Sequence, residues 1–176
     1  VVLIFDEVIS GFRYAPGGAQ QRYGVTPDLA TLGKIVAGGL PGGAVVGKRA
    51  VMQVLDFHEG DARWNRYRHV LHQGTYNANP LSAVAGITLL RLVADGQAQA
   101  RADEMTRLLA QGLNQAILRQ GLPGCAYYES SVWHLLPNVN CPHRDGCNRV
   151  DCSLDAATLF KGMGNLANAF RLSMFN

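Results

Sequence analysis

Asp6 and Lys34 are the residues of this chain whose types and settings best suit chemistry. Asp6 closes the apolar run Val1-Val2-Leu3-Ile4-Phe5. Lys34 sits in Thr31-Leu32-Gly33-Lys34-Ile35-Val36-Ala37-Gly38-Gly39-Leu40-Pro41, just ahead of a glycine-rich turn. A lysine becomes a nucleophile only after losing its proton, which burial or a neighbouring cation promotes against an ordinary pKa of about 10.4. Its amine, on a flexible stem, can then condense with an aldehyde and hold it covalently as a Schiff base. A carboxylate at a strand end in a dry pocket does the complementary work of stabilising a buried cation. Gly33 would let the backbone approach a bound ring, and Gly38, Gly39, Gly42 and Gly43 would let the chain turn sharply away.

A ligand with an aldehyde at one end and a protonated ring nitrogen at the other would use both groups, and pyridoxal 5'-phosphate is such a molecule. An Asp facing its pyridine nitrogen keeps the ring protonated and the cofactor an electron sink. Val8, two residues beyond Asp6, projects to the same side of an extended chain and could pack on the ring. Gly74-Thr75-Tyr76-Asn77-Ala78-Asn79-Pro80 runs into a helix start, where anions are favoured, so Thr75 is a candidate phosphate contact. Residue types alone leave plainer readings open: an Asp that caps a turn, a surface lysine beside glycines, a Thr approaching a helix.

These groups need a scaffold of alternating strands and helices. Five consecutive apolar residues, three of them β-branched, suit a strand covered on both faces, as in a parallel sheet. Ligands bind such sheets at the carboxyl ends of their strands. Gly11 to Gly24 reads as a loop, Leu29 to Leu32 as a second strand and Ala44 to Gly47 as a third. Asn79-Pro80 starts a helix over Leu81 to Ala94. That helix is apolar nearly all round and so is expected to be buried. A second helix spans about Ala98 to Gln120, with the stripe Met105, Leu108, Leu109, Leu113, Ala116 and Ile117, and stops at Gly121. Val132 to Leu136 reads as a strand of another sheet, and Leu154 to Phe170 as a helix. A domain boundary is expected between Ala94 and Gln99, giving domains of residues 1–95 and 96–176.

Composition excludes several classes. With 48% hydrophobic and 16% charged residues, the 176-residue chain can build a substantial core. A net charge of +3, from cations scattered without a run, gives no support to nucleic-acid binding. No apolar window approaches the roughly 20 residues of a membrane span. The chain opens and closes inside element-like runs, which reads as part of a longer polypeptide. Cys125, Cys141, Cys147 and Cys152, without signs of secretion, point to reduced thiols and a cytoplasmic setting.

Taken together and in order, the motifs are more specific than their parts. Leu3-Ile4-Phe5-Asp6-Glu7-Val8, Gly11-Phe12-Arg13, Gly24-Val25-Thr26-Pro27-Asp28-Leu29, Gly33-Lys34, Gly38-Gly39-Leu40-Pro41-Gly42-Gly43-Ala44, Gly74-Thr75 and Asn79-Pro80 resemble the class III aminotransferases. Gly17-Gly18-Ala19-Gln20 and Gly33-Lys34 look most like the glutamate-1-semialdehyde 2,1-aminomutase branch. The resemblance covers Val1 to about Ala94.

It implies a fold type I α/β architecture: part of a mainly parallel three-layer α/β/α large domain over residues 1–95, then part of a small α+β carboxyl-terminal domain. It implies Lys34 as the Schiff-base and proton-shuttling lysine, Asp6 on the pyridine nitrogen, Val8 against the ring, and Thr75 on the phosphate of the neighbouring subunit in a homodimer. The partners implied are small-molecule amino-group donors and acceptors, and both aminomutase and aminotransferase chemistry stay open. The family's amino-terminal portion, with its phosphate loop and stacking aromatic residue, has no counterpart here. The chain by itself is therefore expected to hold an incomplete site.

The residues also admit other readings. Cys141, His143, Cys147 and Cys152 could ligate a metal, but they lack the paired Cys-x-x-Cys spacing of common zinc modules. Lys34 and Lys48 are followed by Ile35 and Arg49, not by the Ser or Thr of a phosphate-binding P-loop. His58, His69, His72 and His134 form no triad-like group, though His72 is close to Thr75 in sequence. A truncated paralogue serving as an interaction protein is the non-enzymatic alternative.

Overall fold

Two short parallel strands organise the first part of the molecule. In a computed structural model describing residues 1–137 with Val139 and Cys141, β1 (Ile4–Glu7) is followed by helix α1 (Gly18–Tyr23) and then by β2 (Leu29–Leu32). The strands pair in parallel, Asp6 opposite Thr31 and Glu7 opposite Leu32. Parallel strands need a crossover rather than a hairpin, and α1 lies in that crossover. β3 (Ala44–Gly47) pairs antiparallel on the other side of β2, giving the order β1-β2-β3.

Asp28 locks the sheet at the end where β1 and β2 begin and β3 finishes. Its carboxylate accepts from the Leu3 amide at 2.8 Å and from Lys48 Nζ at 2.8 Å, while its carbonyl accepts from the Lys48 amide at 2.9 Å. The Leu3 bond first, and then Lys48, hold the Asp28 carboxyl below the ordinary carboxylate range.

After β2 comes a 3-10 turn, Lys34–Ala37, closed by Gly38 in the left-handed conformation at φ 63. Short helices α2 (Arg49–Met52) and α3 (Ala62–Tyr67) follow β3. Asp61 caps α3 through the Trp64 amide at 2.8 Å. Helix α4 (Pro80–Val93) begins as its sequence predicts, with Pro80 in the first turn and Asn79 Oδ1 accepting from the Leu81 amide at 2.9 Å. It then crosses the 3-10 turn at backbone contact: a Cβ on Gly86 would strike the Val36 carbonyl, and one on Gly38 the Ala85 carbonyl. Ser82 Oγ donates to the Pro41 carbonyl at 2.8 Å and fixes the glycine-rich turn to the same helix.

The chain divides into two compact units between Gln99 and Ala100, inside helix α5 (Gln97–Arg119). In the second unit β4 (Gly124–Glu129) and β5 (Val132–Pro137) form an antiparallel pair. Asn114 on α5 clamps β4 by donating to the Ala126 carbonyl at 2.8 Å and accepting from its amide at 2.7 Å. Cys125, Leu136, Val139 and Cys141 form the buried cluster, with Tyr127 packed on it.

Four expectations are corrected. The loop expected over 11–24 contains α1, because the Glu7 carboxylate caps its first amides. Val1 to Ile4 are exposed rather than covered on both faces. α4 buries only Gly86, against the 3-10 turn, and leaves Leu81, Val84, Ile87 and Leu92 exposed. On α5 the buried line is Thr106, Ala110 and Asn114, spaced by four; of the expected stripe Leu113, Ala116 and Ile117 are partly buried, while Met105, Leu108 and Leu109 are exposed. The Asn114 clamp on β4 lies on this buried line. The helix expected over 154–170 and nearly all of the Cys141–Cys152 loop lie outside the described residues.

Candidate active site at the carboxyl edge of the parallel strands

The parallel register puts Asp6 and Thr31 side by side on one face of the sheet. Asp6 Oδ1 accepts from Thr31 Oγ1 at 3.2 Å and from the Val8 amide at 3.1 Å. Both bonds fall on the same oxygen, and among the described residues Oδ2 accepts none. The carboxylate is thus held by one oxygen and presents the other.

Lys34 follows β2 after one residue, the extended and buried Gly33. Lys34 itself takes a left-handed backbone at φ 48, a conformation uncommon in a residue with a β-carbon and enriched at functional sites. Val8 lies against this junction, its Cγ1 3.1 Å from where a Gly33 Cβ would stand. Any side chain at 33 would push Val8 away. Strand pairing thereby gathers Asp6, Thr31, Val8 and the Gly33-Lys34 step at one edge. The expected dry pocket is not closed by the described residues, among which Asp6 and Lys34 are both exposed.

Thr75 is exposed, and no hydrogen bond among the described residues joins it to Asp6, Val8 or Lys34. Its neighbours do approach the sheet. His72 and Asn77 line a pocket of about 520 Å³ with Thr31, Leu32 and residues of β3. Ala78, just before the α4 cap, has φ 55.

The other histidines have structural settings. His58 stacks on Trp64 with centroids 4.4 Å apart, and His134 on Tyr127 at 5.0 Å. His69 Nε2 lies 3.2 Å from the Leu55 carbonyl. Of the four residues considered as metal ligands, Cys141 packs in the buried cluster, and His143, Cys147 and Cys152 lie outside the described residues.

Glu7 is the residue that sequence reasoning passed over. It is 1% exposed. It accepts from Ser10 Oγ at 2.7 Å, the Ala19 amide at 2.9 Å and the Gln20 amide at 3.0 Å. Burial pushes its pKa up, but the bonds from Ala19, Ser10 and Gln20 outweigh this and leave the carboxyl below its ordinary range. Gly18, at φ 72, leaves the space: a Cβ there would come within 2.6 Å of Glu7 Oε2. The available signals were Ser10 three residues on and the Gly17-Gly18 pair, a glycine step that opens a helix.

Residues 1–121 match the aminotransferase class-III family, and the chain belongs to it. Glutamate-1-semialdehyde 2,1-aminomutase of Citrifermentans bemidjiense is 44% identical over 123 residues, which is 70% of this chain and 27% of that protein. An omega-transaminase from Sphaerobacter thermophilus is similar at a TM-score of 0.67 and 37% identity, over 90% of this chain and 33% of that one. A transaminase with PLP bound is similar at a TM-score of 0.65 and 36% identity, over 77% of this chain and 30% of that one. The fold is the fold type I α/β architecture of these structures. The chain spans only about a quarter of the length of the curated relative it matches. No helix among the described residues is long and apolar enough to cross a membrane.

Proposed function

We propose that this chain supplies the lysine-bearing part of a pyridoxal 5'-phosphate site, and that the native polypeptide carrying it is an enzyme that transfers amino groups. The observation that carries this reading is the gathering of Asp6, Val8 and Gly33-Lys34 at the carboxyl edge of a parallel strand pair. These residues fit the cofactor. One oriented carboxylate suits a ring-nitrogen cation, a glycine step packed under Val8 suits a flat ring, and a primary amine on an open stem suits an aldehyde.

Bound pyridoxal phosphate would supply an electron sink for charge developing at a substrate carbon. Asp6 would hold a proton on the ring nitrogen. Lys34 Nζ would anchor the cofactor and supply a base for proton transfer. Val8 would cover one ring face and exclude water from it. Thr75 would contact the phosphate of a second copy in a homodimer, and the exposed flank of Asp6 and Lys34 is where further wall would close. Residues 1–95 then belong to the large cofactor-binding domain and 96–176 to the small one, in a cytoplasmic enzyme acting on small-molecule amino donors and acceptors.

Similarity to the curated aminomutase and the Gly33-Lys34 step favour an aminomutase. Similarity over 90% of the chain to an omega-transaminase favours an aminotransferase. Both reactions use Asp6 and Lys34 alike. The exposure of both residues supports a second reading, a catalytically incomplete binding protein.

Borohydride reduction of the cofactor-loaded native polypeptide, followed by peptide mapping, tests the proposal. A yellow band that reduction abolishes, with the pyridoxyl label on Lys34, is expected. Label on another lysine, or none, overturns it. Label without amino-group transfer from any donor selects the binding-protein reading.

A further inference from the structure

We infer that Thr31 is a positioning residue for Asp6: its hydroxyl fixes one carboxylate oxygen so that the other is aimed at the cation the site holds. The inference rests on the cofactor reading above and adds to it a residue that no resemblance assigned.

Asp6 and Thr31 are directly paired across parallel strands, so their side chains leave the same face at neighbouring positions. A carboxylate at the last turn of a short strand would otherwise rotate freely about its terminal bond, where the preference is broad. Two donors reach it from different directions, the Val8 amide at 3.1 Å along its own chain and Thr31 Oγ1 at 3.2 Å from the next strand. Both end on Oδ1. Two donors converging on one oxygen fix the plane of the group, which a single local bond would not do. The Val8 bond turns with the Asp6 backbone, whereas the Thr31 bond ties Asp6 to β2, the strand that leads through Leu32 and Gly33 to Lys34.

Thr31 therefore references the carboxylate to the strand that leads through Leu32 and Gly33 into the turn that presents the lysine. A residue at 31 needs three properties for this: β-branching to fit the sheet, small size, and a hydroxyl donor. Ser keeps the donor and Val keeps the shape, so the two substitutions separate positioning from packing.

The experiment uses the native polypeptide and measures the cofactor dissociation constant, the visible circular dichroism of the bound cofactor, and thermal unfolding. Thr31→Val is expected to raise the dissociation constant about tenfold, as fits loss of one hydrogen bond to a charged acceptor. It should change the dichroic band while leaving the borohydride label on Lys34. Thr31→Ser should restore both readouts. In an Asp6→Asn background Thr31→Val should change neither further, because the two residues act as one unit.

Unaltered cofactor affinity and dichroism in Thr31→Val, with the label still on Lys34, overturns this inference and leaves the cofactor reading standing. Thr31→Ser behaving like Thr31→Val, with the unfolding temperature falling in step, makes the role one of packing and overturns it too. Absence of label on Lys34 in the unsubstituted protein overturns both. Should Thr31→Val not fold, Thr31→Ala carries the same comparison.

Discussion

Gly38 and Gly86 face each other where helix α4 crosses the 3-10 turn that starts at Lys34, and neither can carry a β-carbon without striking the other element's backbone. The turn that presents the lysine is thus seated directly on a helix. Gly86→Ala is expected to cost about 1–3 kcal/mol, the range for overpacking a tight contact. Gly38→Ala should cost more, since its left-handed backbone adds about 1 kcal/mol of strain. Thermal unfolding of the two variants checks both. An unchanged unfolding temperature in Gly86→Ala would show that α4 shifts freely and is no seat.

Lys34→Ala removes the amine and leaves the rest of the edge intact. Turnover is expected to vanish while weak, reversible cofactor binding persists, read by absorbance and by dialysis. Near-normal turnover would refute the assigned role. Lys34→Gly tests the left-handed backbone at 34, since Ala keeps the β-carbon: a glycine variant more stable than the parent would mean that strain at this position is tolerated for function.

Glu7 predicts an acid-sensitive element. Its folded pKa is depressed, so its contribution to stability is present above the ordinary Glu value of about 4.3 and disappears as pH falls through the lower folded value. Glu7→Gln should lose about 2–3 kcal/mol at neutral pH, because a carboxamide cannot accept from all three donors. The variant's stability should also change less than the parent's between pH 6 and about pH 3. Chemical denaturation at the two pH values gives the comparison, and identical slopes in parent and variant would count against it.

Asn114→Ala should destabilise the unit beginning at Ala100 by about 2–4 kcal/mol, since it leaves a buried amide and carbonyl of Ala126 without partners. Hydrogen exchange at the Ala126 amide should rise with it. Slow exchange retained in the variant would mean that another group replaces the clamp.

Much of the fold was legible because the signals were local. Leu29–Leu32 and Ala44–Gly47 are short apolar runs bounded by turns, and Asn79-Pro80 is a helix start with a stated mechanism. Asp6 and Lys34 stood out because charged residues interrupt apolar or glycine-rich sequence. What escaped depended on distance. Glu7 looked like a second acid closing a strand, and its partners Ala19 and Gln20 are backbone amides that any residue could have provided. Thr31 looked like a strand former until register set it beside Asp6. On α5 the buried line includes Asn114, whose amide pairs with a strand twelve residues on, a polar contact that apolar periodicity does not encode.

The Asp28 lock lies at the opposite end of the three strands from Asp6 and Lys34. There it ties Leu3, Lys48 and the start of β2, while α4 seats the far end through Gly38 and Gly86. The sheet is therefore a short beam clamped at both supports. A beam held in this way is expected to bend least at its supports, and Asp6 and the Gly33-Lys34 step lie at one of them. Of the two clamps one includes a single ion pair and the other is steric, so added salt should weaken only the Asp28–Lys48 side-chain contact, at the end remote from Lys34.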